Sequence, residues 1–217
     1  MQTVCGTAEK KLCRPVLHMV KKVKYDIIKP YFSEENTKKR IGGGFMISIR
    51  SARPDDAPRL LEIYSYYVRN TAISFEYEVP GEDEFRGRIE KTLEKYPYLV
   101  LEEDGVIEGY CYAGVFKARA AYDRSCEVSI YVDRARRGRG FGGMLYRELE
   151  KELPKLGITN LYACIADPVV PDEYLDRSSE LFHGRMGYVK VGEFHGCGMK
   201  FGRLYNMIWM EKILAVN

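Results

Sequence analysis

The sequence contains no continuous apolar run of about 18 residues, so we expect no membrane-spanning helix. It also contains no Cys-x-x-Cys pair and no group of Cys and His at metal-ligand spacing, so we expect no metal site. The formal net charge is only +3, which is too small to indicate a nucleic acid as partner. These absences argue against an integral membrane protein, a zinc-stabilised domain and a basic nucleic-acid-binding domain.

Six cysteines are scattered along the chain, and most of them stand in apolar, strand-like runs. We therefore expect buried free thiols. Free thiols are typical of a reducing compartment, so we expect a cytoplasmic protein. The cysteines are Cys5, Cys13, Cys111, Cys126, Cys164 and Cys197.

The chain has 217 residues, of which 46% are hydrophobic, enough for one domain with a hydrophobic core. Residues 1–45 hold ten Lys and Arg against four acids. We predict a single domain over residues 46–217 and an N-terminal extension over residues 1–45. The extension can be interpreted as a flexible basic tail, a docked helix or translated upstream sequence. We favour the last, because Met46 directly precedes the first predicted strand and the codons of Gly42–Gly44 can spell a ribosome-binding site.

From Met46 onward, hydrophobic periodicity predicts two helices, then an antiparallel meander of strands, then one strand–loop–helix–strand unit and two closing strands. This order indicates an α+β fold with a mixed, mostly antiparallel central sheet flanked by helices and a single parallel connection. After the first strand at Met46, the predicted strands lie near residues 98–102, 106–115, 125–132, 161–165, 188–194 and 205–210.

A glycine-rich loop, Arg137–Gly143, follows the apolar strand Val128–Val132 and precedes the helical segment Met144–Leu153. Glycines allow several backbone N–H groups to converge on one anion at a helix N-terminus. The helix dipole and neighbouring arginines add positive potential there. The strand–loop–helix unit therefore predicts a phosphate site, although a glycine-rich surface turn with solvated arginines is the alternative.

Two other nucleotide-binding patterns resemble this glycine-rich loop. Gly138, Gly140 and Gly143 also satisfy the dinucleotide-binding pattern G-x-G-x-x-G, and Asp167 lies near the expected position of a ribose-binding acid. However, the loop comes late in the chain, and only 74 residues follow Gly143, too few for a complete Rossmann fold. A Walker A loop is excluded because no Gly-Lys-Ser/Thr follows the glycines.

The remaining pattern is that of the GNAT superfamily of N-acetyltransferases, whose cofactor loop reads Arg/Gln-x-x-Gly-x-Gly/Ala after the fourth strand. Arg137–Gly142 matches it in full. Over roughly residues 46–212, the chain also resembles the phosphinothricin and methionine sulfoximine N-acetyltransferase group. The segments that carry this narrower resemblance are Ser74–Glu76, Tyr96–Val100, Gly109–Ala113, Phe116–Asp123, Glu127–Val132, His183–Tyr188 and Lys200–Arg203.

The resemblance implies that acetyl-CoA is the cofactor and that the loop amides hold its pyrophosphate. The strand residues before the loop would lie along its pantetheine arm. Asp176 departs from the group, which carries an asparagine there, and a carboxylate at this position would repel phosphate. The implied cofactor-binding residues are Ile130, Tyr131, Val132, Arg137, Gly138, Arg139, Gly140, Phe141, Gly142, Gly143, Asp176 and Arg185.

Glu127 is the predicted general base. Strand alternation puts it on the sheet face of Ser129 and Tyr131, and apolar neighbours would raise its pKa toward useful base strength. The resemblance implies the same role; an exposed carboxylate paired with Arg124 is the alternative. His183 matches a histidine of the group that is suspected of assisting catalysis, and its alternative is a core or helix-capping histidine.

The resemblance places acceptor contacts in the loop after the second meander strand and in the C-terminal hairpin, where an amino-acid acceptor would need partners for its carboxylate. Arg119 and Arg203 are weaker candidates, since arginines on polar loops are usually solvated. The expected acceptor-binding residues are Phe75, Ala120, Ala121, Tyr122, Arg124 and Tyr205.

Together these observations predict an acetyl-CoA-dependent N-acetyltransferase that acts on the amine of a small amino-acid-like molecule. A polyamine or a protein N-terminus is the alternative acceptor, because the acidic loop Asp167–Asp176 would suit a cation. A non-catalytic CoA-binding sensor is a further alternative, which the intact glycine loop and Glu127 argue against. We expect neither a nucleic acid nor a membrane as partner, and the C-terminal strands with their aromatic residues are compatible with a homodimer.

Overall fold

The computed structural model describes residues 37–40 and 45–215. Eight strands in these ranges form one sheet in the order β1-β2-β3-β4-β5-β6-β8-β7. The strands are β1 Thr37–Arg40, β2 Met46–Ser51, β3 Tyr98–Glu103, β4 Val106–Val115, β5 Ser125–Val132, β6 Asn160–Asp167, β7 Val189–Lys200 and β8 Arg203–Ile213. The α-helices of the same ranges are α1 Ala57–Asn70, α2 Glu82–Leu93, α3 Phe141–Glu152 and α4 Ser178–Arg185.

Neighbouring strands of this sheet pair antiparallel, with the exception of β5 and β6, which pair parallel. The connection between β5 and β6 is the glycine-rich loop followed by α3. A parallel pair requires such a crossover, whereas the antiparallel pair β3–β4 needs only the turn at Asp104–Gly105. The predicted α+β fold, with a mixed and mostly antiparallel sheet and one parallel unit, is confirmed.

The two faces of the sheet are covered by different helices because the strand residues alternate between them. Apolar residues of α1 and α2, such as Leu60, Tyr67 and Ile89, pack on one face together with Tyr98 and Tyr110. Residues of α3, among them Leu145 and Leu149, pack on the opposite face, where Met186 and Phe182 beside α3 complete the layer. The buried apolar residues of each face form one contiguous cluster.

Glycines in the left-handed region set where α3 begins and where the chain leaves it. Gly140 precedes α3 with φ 81°, and Gly157 follows the short 3-10 turn Leu153–Leu156 with φ 76°. Residues with a Cβ rarely adopt such a φ, so glycine is required at both points.

The two closing strands are longer than the sequence predicted. Instead of ending near Phe194, β7 continues to Lys200 and meets β8 through a tight turn at Phe201–Gly202. The pairing register shifts between Lys190 and Gly192 and again between Phe194 and Gly198. Bulges and strand glycines interrupt the alternation of apolar and polar residues, so the pattern of a continuous strand is lost from the sequence.

Part of the predicted N-terminal extension belongs to the sheet. Thr37–Arg40 pairs antiparallel with Met46–Ile49 at the edge of the sheet. The sheet therefore begins before the predicted domain boundary at Met46, and the remaining residues of the extension, apart from Phe45, lie outside the described residues.

The expectation of buried thiols is confirmed for some of the cysteines only. Cys111 and Cys126 are buried, but Cys164 and Cys197 are exposed, and Cys5 and Cys13 lie outside the described residues. Cys164 lies on β6 and Cys197 lies on β7. Among the helices described, none is both long and apolar enough to cross a bilayer.

Candidate active site

The parallel strands β5 and β6 separate from each other partway along their length. They are paired at Ser125–Asn160, Cys126–Leu161 and Glu127–Tyr162. Beyond these positions both strands continue, but they no longer pair with each other. Beyond Glu127, the β6-facing edge of β5 therefore carries backbone N–H and C=O groups that no strand satisfies, and such groups are available to a ligand.

A cleft of about 450 Å³ opens where the two strands separate. Strand residues from both sides line it, and α3 and α4 contribute side chains to its wall. The lining residues are Ile73, Val128, Ser129, Ile130, Tyr131, Tyr146, Ala163, Cys164, Ile165, Ala166, Ser179 and His183. Two predicted cofactor-binding residues, Ile130 and Tyr131, thus lie in this cleft.

The glycine-rich loop continues β5 and ends at the N-terminus of α3. Gly138 and Gly140 have φ values of 79° and 81°, and a Cβ built on either would meet no atom within 4 Å. The first N–H groups of α3, from Phe141 onward, have no partner within the helix. Positive φ, open space and free helical amides together form a cradle that fits an anion.

The later glycines of the loop have a packing role as well. A Cβ on Gly142 would lie 3.1 Å from the ring of Phe182, and a Cβ on Gly143 would lie 3.2 Å from the guanidinium of Arg147. Phe141 itself is buried, at 2% exposure, in the core under α3. Gly142 therefore allows Phe182 of α4 to pack closely on α3.

The loop arginines are directed to different partners. Arg137 donates to the hydroxyl of Ser178 at the start of α4, at 3.3 Å. Arg139 is held by both carboxylate oxygens of Glu103, at 2.6 and 2.5 Å, and its guanidinium lies over the ring of Phe141. The positive charge of Arg139 is therefore already compensated, whereas Arg137 remains at the mouth of the loop.

Asp176 and Arg185 lie at the two ends of α4. The carboxylate of Asp176 accepts a hydrogen bond from the backbone N–H of Ser178 at 2.9 Å. Its pKa is lowered, mainly by hydrogen bonding to the Ser178 side chain, so it is ionised at neutral pH. Arg185 is exposed in the last turn of the helix. The structure thus gives Asp176 a local role in ordering the start of α4.

Glu127 stands at the last paired position before β5 and β6 separate. It lies on the same face of the sheet as Tyr112, whose pKa its charge raises. Burial raises the pKa of Glu127, and the positive charge of Lys117 partly opposes this shift. Pairing with Arg124 does not occur, because that guanidinium points to the hydroxyl of Thr159, at 3.5 Å. A half-buried carboxylate with a raised pKa is suited to accept a proton.

His183 is buried, at 3% exposure, in the wall of the cleft. Its Nδ1 lies 2.8 Å from the carbonyl oxygen of Ser179, and its Nε2 lies 3.0 Å from the hydroxyl of Tyr146. Since a carbonyl only accepts, Nδ1 carries the proton, and Nε2 accepts from Tyr146. Burial lowers the pKa of His183 to about 4, so the ring is neutral near pH 7 and fixed between two partners.

The predicted acceptor residues fall into separate groups. The ring of Phe75 lies against Gly198, where it leaves no room for a Cβ, and packs beside Tyr205. Tyr205 is buried and donates to Asp172 at 2.9 Å. Ala120, Ala121 and Tyr122 form an exposed 3-10 turn, in which Tyr122 contacts the ring of Phe116 edge-on. With Arg124 directed to Thr159, the structure does not bring this set together around one point.

The acidic loop Asp167–Asp176 is internally compensated. Arg203 binds Glu173 through two hydrogen bonds and lies 3.0 Å from Asp172. Burial alone would raise the pKa of Asp172, but hydrogen bonds from Arg203 and from the backbone of Tyr174 lower it. The loop carboxylates therefore serve the loop itself, which weakens the sequence argument that they attract a cationic acceptor.

Sequence reasoning missed Tyr146 and Glu103. Tyr146 lies in the middle of α3 at helical spacing with Leu145 and Leu149, so its sequence signal is that of a core residue. Glu103 ends an apolar strand, a position typical of solvated charges, yet it is only 6% exposed. No pattern in the sequence distinguishes either residue; their partners are 37 and 36 positions away.

Comparison with known proteins gives a consistent family. The sequence model described as "Acetyltransferase (GNAT) domain" matches residues 49–209. A phosphinothricin N-acetyltransferase of Streptomyces viridochromogenes is 31% identical over 166 residues, which are 76% of this chain and 87% of that protein. An L-methionine sulfoximine/L-methionine sulfone acetyltransferase of Salmonella typhimurium is 29% identical over 166 residues, 76% of this chain and 93% of that protein.

Among solved structures, the fold is similar to a GNAT superfamily phosphinothricin acetyltransferase from Sinorhizobium meliloti in complex with acetyl-CoA. The TM-score is 0.70 at 31% identity, and the match covers 77% of this chain and 88% of that one. Residues 49–209, which the family model matches, contain the glycine-rich loop, the separating strands β5 and β6, and Glu127.

Proposed function

The chain belongs to the GNAT acetyltransferases, enzymes that use acetyl-CoA, and from that premise we propose that its acceptor is the amine of a small amino-acid-like molecule of the phosphinothricin or methionine sulfoximine type. The observation that carries the proposal is the position of Glu127 at the point where β5 and β6 begin to separate. The relatives that act on phosphinothricin and methionine sulfoximine support the acceptor class.

The cofactor half of the site is the loop and the open edge of β5. Acetyl-CoA supplies the acetyl group as an activated thioester. The left-handed glycines and the free amides of α3 fit its pyrophosphate, and Arg137 adds a positive charge beside them. Ile130, Tyr131 and Val132 offer the strand edge that an extended pantetheine arm requires. In this proposal, the backbone of Gly138–Gly143 binds the cofactor. Asp176 and Arg185 lie at the two ends of α4 and are the outer residues of the proposed cofactor site.

The chemical half of the site is Glu127. An ammonium acceptor must lose a proton before its nitrogen can attack a thioester, and a carboxylate with a raised pKa can take that proton directly or through one water molecule. Burial raises the pKa of the Glu127 carboxylate, which makes it a stronger base, and the positive charge of Lys117 partly opposes this shift. Orientation of the two substrates by the cleft contributes a further and larger share, about 7–11 kcal/mol in well-aligned systems.

His183 acts, in this proposal, on the wall of the cleft. As a neutral imidazole that accepts from Tyr146 and donates to Ser179, it holds the Tyr146 hydroxyl at the cleft surface. Because its pKa is about 4, the imidazole of His183 does not change its protonation state near neutral pH. Its contribution to the reaction is therefore to orient Tyr146, and Glu127 is left as the titrating group of the site.

On the acceptor side, we retain as candidate contacts Phe75 and Tyr205, which pack together, and separately the exposed turn Ala120–Tyr122. Arg124 would have to leave Thr159 to reach an acceptor carboxylate. A polyamine is the weaker candidate, because Asp172 and Glu173 are already bound by Arg203. A carboxylate that is already paired with an arginine offers little further attraction to a cation.

We further propose that residues 46–217 form the acetyltransferase domain, with residues 1–45 as an extension of it, and that the protein works in a reducing cytoplasm, as its free thiols suggest. A homodimer is supported by exposed apolar residues on the edge strand β7 and its neighbour β8. These residues are Val189, Val191, Phe194, Met199 and Leu204. An unpaired apolar edge strand is a surface that a second copy can cover.

The test is a thiol-release assay with acetyl-CoA and a panel of amines at equal concentration. The panel contains methionine sulfoximine, phosphinothricin, spermidine and a peptide with a free N-terminus. We expect turnover to be fastest with methionine sulfoximine or phosphinothricin. Turnover of spermidine or of the peptide alone would overturn the proposed acceptor class, and the Glu127→Gln variant reports whether that turnover uses the same site.

A further inference from the structure

A buried carboxylate holds the side chain of a loop arginine that the family resemblance assigns to the cofactor. Glu103, at the end of β3, is 6% exposed, and both of its oxygens bind the guanidinium of Arg139. This is a bidentate pair, the geometry in which arginine and carboxylate bind each other most strongly. The guanidinium of Arg139 also lies over the ring of Phe141, so the end of the side chain is held by two partners.

A second carboxylate fixes the start of the same loop. Glu108, on β4, is 3% exposed and lies 3.0 Å from the Nε of Arg136. The backbone carbonyl of Glu108 accepts from the N–H of Asp133, directly after β5. The loop that carries Gly138 and Gly140 is thus attached at both of its ends to the β3–β4 hairpin.

Arginines pair with each of the carboxylates in this region. Arg59 on α1 binds Asp133 at 2.6 Å and the exposed Glu62 at 2.9 Å, and it approaches Glu108 to 3.5 Å. Arg136 binds Glu108 and approaches Glu103 to 3.6 Å, and Arg139 binds Glu103. Without their arginines, two buried carboxylates beside an anion site would repel the anion and would be costly to keep ionised.

We propose that Glu103 is a positioning residue for the cofactor loop: it clamps Arg139 so that the loop amides and Arg137, not the Arg139 side chain, bind the phosphates. This inference rests on the proposed role of the loop in holding acetyl-CoA. The bidentate clamp keeps the left-handed turns at Gly138 and Gly140 in the shape that directs their amides toward one point. Arg139 then contributes to binding through loop geometry rather than through its charge.

The two roles predict opposite results when Glu103 is neutralised. Glu103→Gln keeps the size of the side chain but frees the charge of Arg139. If Arg139 clamps the loop, its release loosens the cradle, and we expect acetyl-CoA to bind about tenfold more weakly, which corresponds to about 1.4 kcal/mol. If Arg139 instead binds phosphate, its release from Glu103 would leave the affinity unchanged or increase it.

The experiment measures the Kd of acetyl-CoA by calorimetry, together with kcat and KM, for the wild type, Glu103→Gln, Arg139→Gln, Arg139→Lys and the double variant Glu103→Gln/Arg139→Gln. We expect all four variants to weaken binding to a similar extent and to leave kcat at saturating acetyl-CoA almost unchanged. The double variant should be no weaker than either single one, because both single changes break the same pair. Arg139→Lys should not restore the affinity for acetyl-CoA, since lysine cannot form the bidentate contact with Glu103.

Two further readouts separate positioning from a general loss of structure. The Tm of each variant is measured alongside, and Arg139→Gln, which changes a 37% exposed side chain, tests the same pair if Glu103→Gln folds poorly. The dependence of Kd on salt should be equal in the wild type and in the double variant Glu103→Gln/Arg139→Gln, because both charges of the pair are removed together and no phosphate contact is lost.

The proposal is overturned if Glu103→Gln binds acetyl-CoA as tightly as the wild type or more tightly, or if Arg139→Lys retains the affinity that Arg139→Gln loses. A wild type that does not bind acetyl-CoA would instead contradict the proposed cofactor site itself, and this inference with it. The two failures are therefore distinguishable in one series of titrations.

Discussion

Glu127 and Tyr162 occupy the last paired position between the parallel strands β5 and β6. On one side of this pair the sheet is continuous, and on the other side the strands diverge around the cleft. The carboxylate is thereby held on a rigid strand next to the opening, while its neighbours keep it half-buried. A single pair of residues thus marks both the end of the ladder and the beginning of the proposed reaction site.

Replacing Glu127 by Gln should reduce kcat by about 10²- to 10⁴-fold, the usual effect of losing a general base. The affinity for acetyl-CoA should hardly change, because the glycine loop lies beyond Val132. Steady-state kinetics and calorimetry measure the two effects separately. The matched control is Glu84→Gln, which neutralises an exposed carboxylate on α2 and should leave both unchanged. Near-normal kcat in the Glu127 variant would leave this carboxylate a structural role.

The pH dependence of the rate should follow the raised pKa of Glu127. A base works when it is deprotonated, so the rate should fall as the pH drops through that pKa, which burial moves above the usual carboxyl range. The acidic limb of the kcat profile should be absent in Glu127→Gln. A limb that persists unchanged in the variant would assign it to another group, such as the amine itself.

Gly140→Val should weaken acetyl-CoA binding tenfold or more, about 1.4 kcal/mol, in a protein that remains folded. Valine is strained at a φ of 81°, so the cradle must change shape. Gly157→Val is the matched control, because it introduces the same kind of strain at a φ of 76° after α3 and away from the loop. We expect the control to lose stability but not affinity; equal affinities of both variants and the wild type would contradict the cradle.

Stability should fall at acidic pH because of His183. The unfolded chain binds a proton near pH 6.5, whereas the folded protein binds it only near pH 4. The unfolded state therefore holds more protons between these values, and the free energy of unfolding decreases as the pH falls through this window. From pH 7 to pH 5 the loss is about 2 kcal/mol.

Denaturant titrations of His183→Phe at pH 7 and pH 5 check this prediction. The variant should be less stable than the wild type at pH 7, since it loses two hydrogen bonds, but it should lose less stability on acidification. His195→Gln changes an exposed histidine on β7 and should keep the wild-type pH dependence. Identical pH dependence in all three proteins would show that His183 does not carry this effect.

A chain that starts at Met46 should turn over at the wild-type rate. The strand it loses, β1, lies at the edge of the sheet, separated from β5 by three strands. Activity and Tm of this chain are compared with those of a chain that starts at Thr37 and retains β1. We expect equal activity and a small decrease in Tm on loss of β1. Loss of turnover or of folding in the shorter chain would show that the extension is part of the domain.

Much of the fold could be predicted from the sequence because it depends on local patterns. Alternation along β5 predicted that Glu127 and Tyr131 share a face of the sheet. The buried apolar residues of the two sheet faces are found in separate clusters. The spacing of Leu60, Tyr64 and Tyr67 predicted α1, and the glycines predicted the turn into α3. The long hairpin of β7 and β8 was predicted too short, because two bulges break its alternation.

The site was only partly predictable. The glycine loop and Glu127 carry local signals, and the sequence indicated both. The partners of the side chains carry none: Arg139 finds Glu103, His183 finds Tyr146, and Asp172 finds Arg203, each across more than 30 residues. The sequence indicated Arg139 as a cofactor ligand and the acidic loop as an attraction for cations; the structure pairs Arg139 with Glu103, and Asp172 and Glu173 with Arg203.

Periodicity and contiguous motifs in the sequence are enough to predict the order of helices and strands, the single parallel connection and the family. Which charges remain available to a ligand depends on the folded structure. Burial and pairing are properties of residues brought together from distant parts of the chain, and they set the raised pKa of Glu127, the neutral state of His183 and the engaged state of Arg139. The glycines determine the backbone conformation of the loop, whereas charged residues of β3, β4 and α1 determine the electrostatic environment around it.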